Sequence, residues 1–108
     1  MSQTPRTLRM YQDIVETTNR MLTHAKASQW DQVIELSPQY QRAVNRLQAL
    51  GTLPQHDLDA RRHLLSQILD NDAAIRRLAS PELERLNDLI NGLKRQRTVL
   101  QAYYAPQS

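Results

Sequence analysis

The side chains that could support acid–base or metal chemistry are three histidines and a few aspartates. His63 follows Asp59 by four residues, a spacing that places both on one face of a helix, and Asp57 is close in sequence. A metal site would still need a third ligand and an open position. His24 stands alone and His56 falls in a loop. Because carboxylate–imidazole pairs are common on solvated helices, these residues predict no metal site.

Other chemical motifs are incomplete. Asp70-Asn71-Asp72 lacks the glycine and the distal glutamate of a calcium loop. The two glycines, Gly51 and Gly92, are too far apart to form a phosphate-binding loop, and the chain has no cysteine for a thiolate zinc site or a nucleophile. A domain this small, without pocket-building loops, is not expected to be an enzyme or to hold a cofactor.

The charge pattern permits contact with nucleic acid but does not favour it. The net charge is +3, from 14 basic and 11 acidic residues, and the arginines are spread along the chain. A dedicated nucleic-acid binder usually clusters its basic residues. The compact cluster, Lys94-Arg95-Gln-Arg97, falls near the end of the last predicted helix, where cations offset the helix dipole. We therefore interpret it as a solvated face.

The composition predicts a helical protein. With 108 residues, two glycines and no phenylalanine, the chain is rich in helix formers and suits one domain, residues 1–108. No apolar run approaches the roughly 18 residues that cross a bilayer, and no signal peptide is evident. We expect a soluble, cytosolic protein without membrane insertion.

Start and stop signals divide the chain into four helices. Thr4-Pro5 and Ser80-Pro81 each supply an N-cap followed by proline at the first helical position, and Asp57 caps a third start. Short connections make successive helices antiparallel, which predicts an all-α, up-down four-helix bundle. We expect the second helix to continue across Ser37-Pro38 with a kink, because its apolar face continues. The predicted helices cover about 5–27, 30–50, 57–79 and 81–104.

Each predicted helix carries an apolar stripe suited to a bundle core. The first has a heptad pattern, and the stripes of the others run their full lengths. Trp30 is expected to anchor the first corner, Tyr40 to lie in the core with its hydroxyl at the rim, and one of Tyr103 and Tyr104 to be exposed. The heptad positions are Leu8, Tyr11, Val15, Thr18, Leu22 and Ala25, and the other stripes include Ile34, Leu36, Leu50, Leu58, Leu78 and Leu83.

Three charged residues interrupt these stripes. Arg61 and Asp72 fall within the stripe of the third helix, and Arg97 falls within that of the fourth. In one interpretation the arginines reach water along their aliphatic stems, while Asp72 pairs with Arg76 one turn later. In the other, the stripes form a groove for another chain, which Asp72 and Arg97 orient. The sequence alone leaves both open.

The order and separation of several short motifs resemble the FliT family of flagellar export chaperones. The resemblance spans residues 8–104 and departs at Ser37-Pro38 and at Ala27-Ser28-Gln29. The motifs are Met21-Leu22-Thr-His-Ala25, Trp30-Asp31-Gln-Val33, Leu64-Leu65-Ser-Gln-Ile68-Leu69-Asp70-Asn71-Asp72-Ala-Ala-Ile75, and Gln96-Arg97-Thr-Val-Leu100-Gln-Ala102-Tyr103.

The resemblance implies a chaperone of the flagellar type III export system. Its relatives bind the C-terminal segment of the filament-cap protein FliD, deliver it to the export ATPase and gate, and in some cases bind the master regulator FlhDC, with the last helix covering the binding surface. The implied partner-binding residues are Tyr40, Val44, Leu47, Leu65, Ile68, Leu69, Asp72 and Ile75. The implied lid residues are Leu86, Leu89, Ile90, Leu93 and Arg97.

Two other function classes stay open on the residues alone. The heptad pattern of the first helix could pair between chains, which would make the protein a self-associating structural or regulatory bundle and a homodimer. A basic helical domain that binds nucleic acid is the weaker alternative.

Overall fold

The computed structural model describes residues 6–50 and 58–104, and all of their regular structure is helical. The predicted all-α, four-helix fold is confirmed. The predicted caps at Thr4-Pro5 and Asp57, and the 51–57 loop, lie outside the described residues. The helices are α1 (Arg6–Lys26), α2 (Trp30–Ala49), α3 (Leu58–Ala79) and α4 (Asn87–Tyr104), with a 3-10 turn at Ser80–Glu82.

The corner between α1 and α2 forms where the sequence predicts it. Ser28 has φ 58°, the left-handed conformation that commonly ends a helix, although glycine is its usual occupant. The backbone N–H of Gln29 donates to the carbonyl of His24 at 2.9 Å, which closes the turn. Trp30 begins α2 directly afterwards and is buried, as the sequence predicts for a corner anchor.

Helix α2 is unbroken although it contains Pro38. The proline removes one backbone donor, but Pro38 is exposed, so water can reach the carbonyl that loses its partner. The prediction of one helix, rather than a new helix capped by Ser37, is confirmed. The kink stays a prediction.

The prediction that the fourth helix starts at residue 81 is wrong. Ser80–Glu82 forms a 3-10 turn, residues 83–86 form further turns, and the α-helix begins at Asn87. Pro81 has no N–H with which to continue the ladder of α3, and the chain then takes a 3-10 turn, which accepts proline at its first positions as an α-helix also does. The N–H of Leu86 donates to the carbonyl of Glu82 at 2.9 Å, and the N–H of Ile90 to the carbonyl of Leu86 at 2.9 Å. These bonds carry the chain into α4 at a direction separate from α3.

The four helices pack as a square. Helix α1 packs against α2 and α3, and α4 packs against the same two helices from the other side, so that α2 and α3 lie on a diagonal. The buried positions of α1 are Tyr11, Ile14, Thr17, Thr18, Met21 and Ala25. Since they face the interior, in this conformation they are not free to pair with a second chain. Leu8, Val15 and Leu22, predicted in the same pattern, flank it and are only half-buried.

Several predicted core residues lie at the surface instead. Five of the apolar residues predicted in the stripes, on α2, α3 and the turns that follow these helices, are between 40% and 54% exposed. Leu36 is half-buried. Ile34 follows the buried Val33 and points about 100° away from it, off the core. The others lie at helix ends or in a turn, where a regular stripe no longer meets a neighbour. The exposed residues are Ile34, Leu50, Leu58, Leu78 and Leu83.

Candidate functional site

The predicted partner-binding residues lie on α2 and α3, the two helices of the diagonal, and α4 packs against both of these helices. Seven of the eight are fully buried, and Leu69 is half-buried at the edge. We call this set the α2–α3 groove: Tyr40, Val44, Leu47, Leu65, Ile68, Leu69, Asp72 and Ile75. The predicted lid residues Leu86, Leu89, Ile90 and Leu93 are buried, and Arg97 is half-buried. Since seven of these residues are fully buried, a partner can reach them only if the bundle opens.

A buried carboxylate lies in the middle of the groove. Asp72 is 0% exposed, and the side chains of two helices bond to it. The hydroxyl of Tyr40 on α2 donates to Oδ2 at 2.8 Å, and Nε of Arg76 on α3 donates to Oδ1 at 2.7 Å. The predicted Asp72–Arg76 pair is therefore confirmed. The prediction that the Tyr40 hydroxyl lies at the rim is wrong, because it reaches across the diagonal to this carboxylate.

Burial and the neighbouring charges have opposite effects on the pKa of Asp72. Burial raises the pKa of Asp72, while hydrogen bonds from Arg76 and Tyr40 and the charges of Arg76 and Arg97 lower it. Burial, reinforced by the neighbouring carboxylate, raises the pKa of Tyr40 far above its ordinary value, so that its hydroxyl remains a donor. The carboxyl group of Asp72 therefore interacts with Tyr40 on α2, Arg76 on α3 and Arg97 on α4.

Two buried polar atoms of the described residues have no hydrogen-bond partner, Nε of Arg97 and Oη of Tyr11. Arg97 is half-buried, follows the buried Leu93 by one turn and brings a positive charge towards Asp72. Tyr11 on α1 lies near Arg61 of α3 and Tyr103 of α4, and burial raises its pKa to about 12. Arg61 is half-buried, which agrees with the interpretation that its charged end reaches water along the aliphatic stem.

A polar connection between α1 and α3 was not predicted from the sequence. The amide nitrogen of Asn71 donates to Oγ1 of Thr18 at 3.1 Å and to Oδ1 of Asn19 at 2.7 Å. A threonine inside an otherwise apolar heptad pattern was the signal that could have found it. Asn71 and Leu69 lie about 160° apart around α3. Since Asn71 faces α1, Leu69 points away from α1.

His24, His63 and the two C-terminal tyrosines have ordinary surroundings. Nδ1 of His24 lies 2.7 Å from Oε1 of Gln29, and Nε2 of His63 lies 3.3 Å from the amide of Gln67. Within residues 6–50 and 58–104 no three histidine or acidic side chains could hold a metal ion together. Tyr104 is exposed and Tyr103 half-buried, as the sequence predicts for this pair.

Comparison with known proteins identifies the family. The family model described as "Flagellar protein FliT" matches residues 8–105. This chain belongs to the FliT family. The FliT protein of Yersinia enterocolitica is 33% identical over 98 residues, which cover 86% of this chain and 80% of the relative. That of Serratia proteamaculans is 28% identical over 106 residues, covering 95% and 87%.

A crystal structure supports the same assignment. The FliT protein of Bordetella bronchiseptica is 44% identical and superposes with a TM-score of 0.63, covering 77% of this chain and 98% of the crystallised one. Membership of the FliT family places the protein in flagellar biogenesis. In the part of the chain that the structure describes, none of the helices is both long and apolar enough to cross a bilayer.

The bond between Tyr40 and Asp72 gives a first prediction. Tyr40→Phe should lower the free energy of unfolding by about 1.5–3 kcal/mol, the range for hydrogen bonds to charged groups, because it leaves Oδ2 of Asp72 buried without its donor. Urea unfolding followed by circular dichroism measures this. The control, Tyr104→Phe at an exposed position, should change stability by less than about 0.5 kcal/mol. Equal effects of both variants would contradict the role given to the Tyr40 hydroxyl.

The raised pKa of Asp72 gives a prediction on pH. Because its folded-state pKa lies above the ordinary value of 3.8, the folded chain holds this proton more tightly than the unfolded chain. The resulting contribution to stability is complete below the unfolded pKa and declines as pH rises through the folded pKa. The stability of wild type relative to Asp72→Asn, measured by urea unfolding between about pH 3 and pH 7, should therefore decrease as pH rises. If the stability of wild type relative to Asp72→Asn increased with pH, the folded-state pKa of Asp72 would lie below its ordinary value, and the prediction would be wrong.

Proposed function

We propose that this protein is a cytosolic flagellar export chaperone that binds the C-terminal segment of the filament-cap protein FliD in the α2–α3 groove. It acts by binding rather than by catalysis. Membership of the FliT family supports the flagellar role. The observation that supports the proposal is that seven of the eight groove residues, up to 35 positions apart in sequence, are fully buried on α2 and α3, and that α4 packs against both of these helices.

Features of α4 support its role as a displaceable lid. The 3-10 turn and the turns at 83–86 separate it from α3, so that it can move as a unit. Gly92, in the middle of α4, costs up to about 1 kcal/mol relative to alanine. Arg97 carries a buried nitrogen without a partner. With these features α4 is held less strongly than a helix that makes every contact the groove offers, and a partner displaces it only by binding the open state better.

The remaining activities follow from the same groove. The protein would carry FliD to the export ATPase and gate and would release it there. When no FliD is bound, it would bind the master regulator FlhDC and reduce flagellar transcription. Because both partners would need an accessible surface, the lid would control both.

Calorimetry with a peptide of the FliD C-terminal segment from the same organism tests the proposal. We expect saturable binding to the full chain, at least about 10-fold weaker for Leu69→Lys, since the new charge faces the side on which the partner enters. The matched control is Ile34→Lys, an exposed apolar residue of α2 outside the groove, which should bind within about 2-fold of wild type. Absence of binding would exclude FliD as the partner, and equal weakening by both variants would exclude the groove.

A further inference from the structure

The buried face of α4 consists of regularly spaced apolar residues and one cation. Ile90, Leu93 and Leu100 are buried apolar residues of this face, and Arg97 lies between the last two. In helical positions this is an apolar residue at i, another at i+3, an arginine at i+7 and an apolar residue at i+10. These positions fall on one stripe of a helix, so α4 presents a mostly apolar face with a single positive charge.

The groove is complementary to that face. Its floor is apolar apart from Asp72, whose carboxylate is wholly buried and accepts one hydrogen bond on each oxygen, from Tyr40 and from Arg76. A carboxylate has about four lone-pair sites, so each oxygen can accept a further donor. The groove thus offers apolar sites for side-chain anchors and one acceptor for a cation.

The match between α4 and the groove is incomplete. Arg97 brings its charge towards Asp72, yet its Nε is buried without a hydrogen-bond partner. A guanidinium placed to bond the carboxylate directly would be held more strongly than this one, since such bonds are charge-assisted and often bidentate. The lid therefore leaves its best polar contact unmade, and a competing helix can make it.

We infer that the groove selects an amphipathic helix that carries an arginine at the position of Arg97, flanked by apolar anchors. The carboxylate of Asp72 binds the guanidinium of this arginine. The inference rests on the proposed function, because it names the chemistry of the segment that replaces α4. Arginine is preferred over lysine, since its planar fork matches a carboxylate that is already fixed by two donors.

The probe for the test is the 18-residue peptide of α4 itself, residues 87–104, fluorescently labelled, with a second peptide that carries Arg97→Gln. Both are titrated into the full-length wild-type chain and into full-length Asp72→Asn. The fraction of molecules with an open lid differs between the two receptors. On one receptor, this open fraction multiplies the affinities of both peptides by the same factor. The ratio between the two peptides on one receptor is therefore independent of lid opening.

The peptide is not held by the turns at 83–86, so its guanidinium can settle against Asp72 as the tethered lid does not. On the wild-type chain we therefore expect the arginine peptide to bind at least about 10-fold more tightly than the glutamine peptide, and on Asp72→Asn less than about 3-fold. The full chain carrying Arg97→Gln is a second receptor, which keeps Asp72 and does not depend on the folding of the Asp72 variant. It should retain the wild-type ratio and bind both peptides more tightly, because its own lid has lost its cation.

Equal ratios on wild type and Asp72→Asn would overturn the inference, as would the absence of any peptide binding to wild type and to the chain with Arg97→Gln. The FliD segment, titrated in parallel, separates this inference from the proposed function. If FliD fails to bind while the arginine preference is present, the partner is wrong and the groove chemistry stands. If FliD binds without an arginine preference, only the inference fails.

Discussion

Replacing Arg76 by methionine should lower the free energy of unfolding by about 3–5 kcal/mol, the cost of leaving one member of a buried ion pair without the other. The side chain of Arg76 is 19% exposed and that of Asp72 is 0% exposed, so water cannot take over the lost bond. Methionine keeps much of the apolar stem, which separates the loss of charge from the loss of packing. Urea unfolding at neutral pH, followed by circular dichroism, measures the change.

The next residue in the chain supplies the control for that measurement. Arg77 has the same chemistry but lies exposed on the other side of α3, so Arg77→Met should change stability by less than about 0.5 kcal/mol. If Arg76→Met stayed within about 1 kcal/mol of wild type, the pair would behave as a surface ion pair, and Asp72 would be open to solvent.

The regular parts of this fold could be predicted from the sequence. Apolar spacing gives the four helices, and the Asp72–Arg76 pair follows because residues four apart are neighbours on a helix. Local rules of this kind need only the residues of one segment. The choice of the groove residues came from the resemblance to a family rather than from the residues alone, and their role stays a prediction.

Features that depend on how the helices meet could not be predicted in this way. Whether Val33 or Ile34 faces the interior depends on the rotation of α2, which a stripe of adjacent apolar residues does not determine. The Tyr40 hydroxyl bonds to a side chain 32 residues away in sequence, across a diagonal that only the packing defines. The start of α4 depended on a choice between two backbone forms after Pro81, both of which accept proline at the first position.

Replacing Leu93 by alanine in the full chain should strengthen binding of the FliD segment. Leu93 is fully buried on the face of α4 that covers the groove, and its loss removes about 2–5 kcal/mol of packing that holds the lid closed. If the closed state outnumbers the open state by about 99 to 1, apparent affinity can rise up to about 100-fold, because it scales with the open fraction. Calorimetry with the FliD peptide measures the gain.

A buried residue elsewhere in the core distinguishes lid opening from general loosening. Ile14 on α1 is equally buried, and the backbone of α1 does not come close to that of α4, so Ile14→Ala should lower stability by a similar amount without strengthening binding. A chain ending at Ser80 should keep three helices, since α1 packs against both α2 and α3 in the absence of α4. If that chain lost its cooperative melt and Leu93→Ala bound FliD no more tightly than wild type, α4 would be a fixed part of the core, because its apolar residues would then be needed to hold α2 and α3 in place.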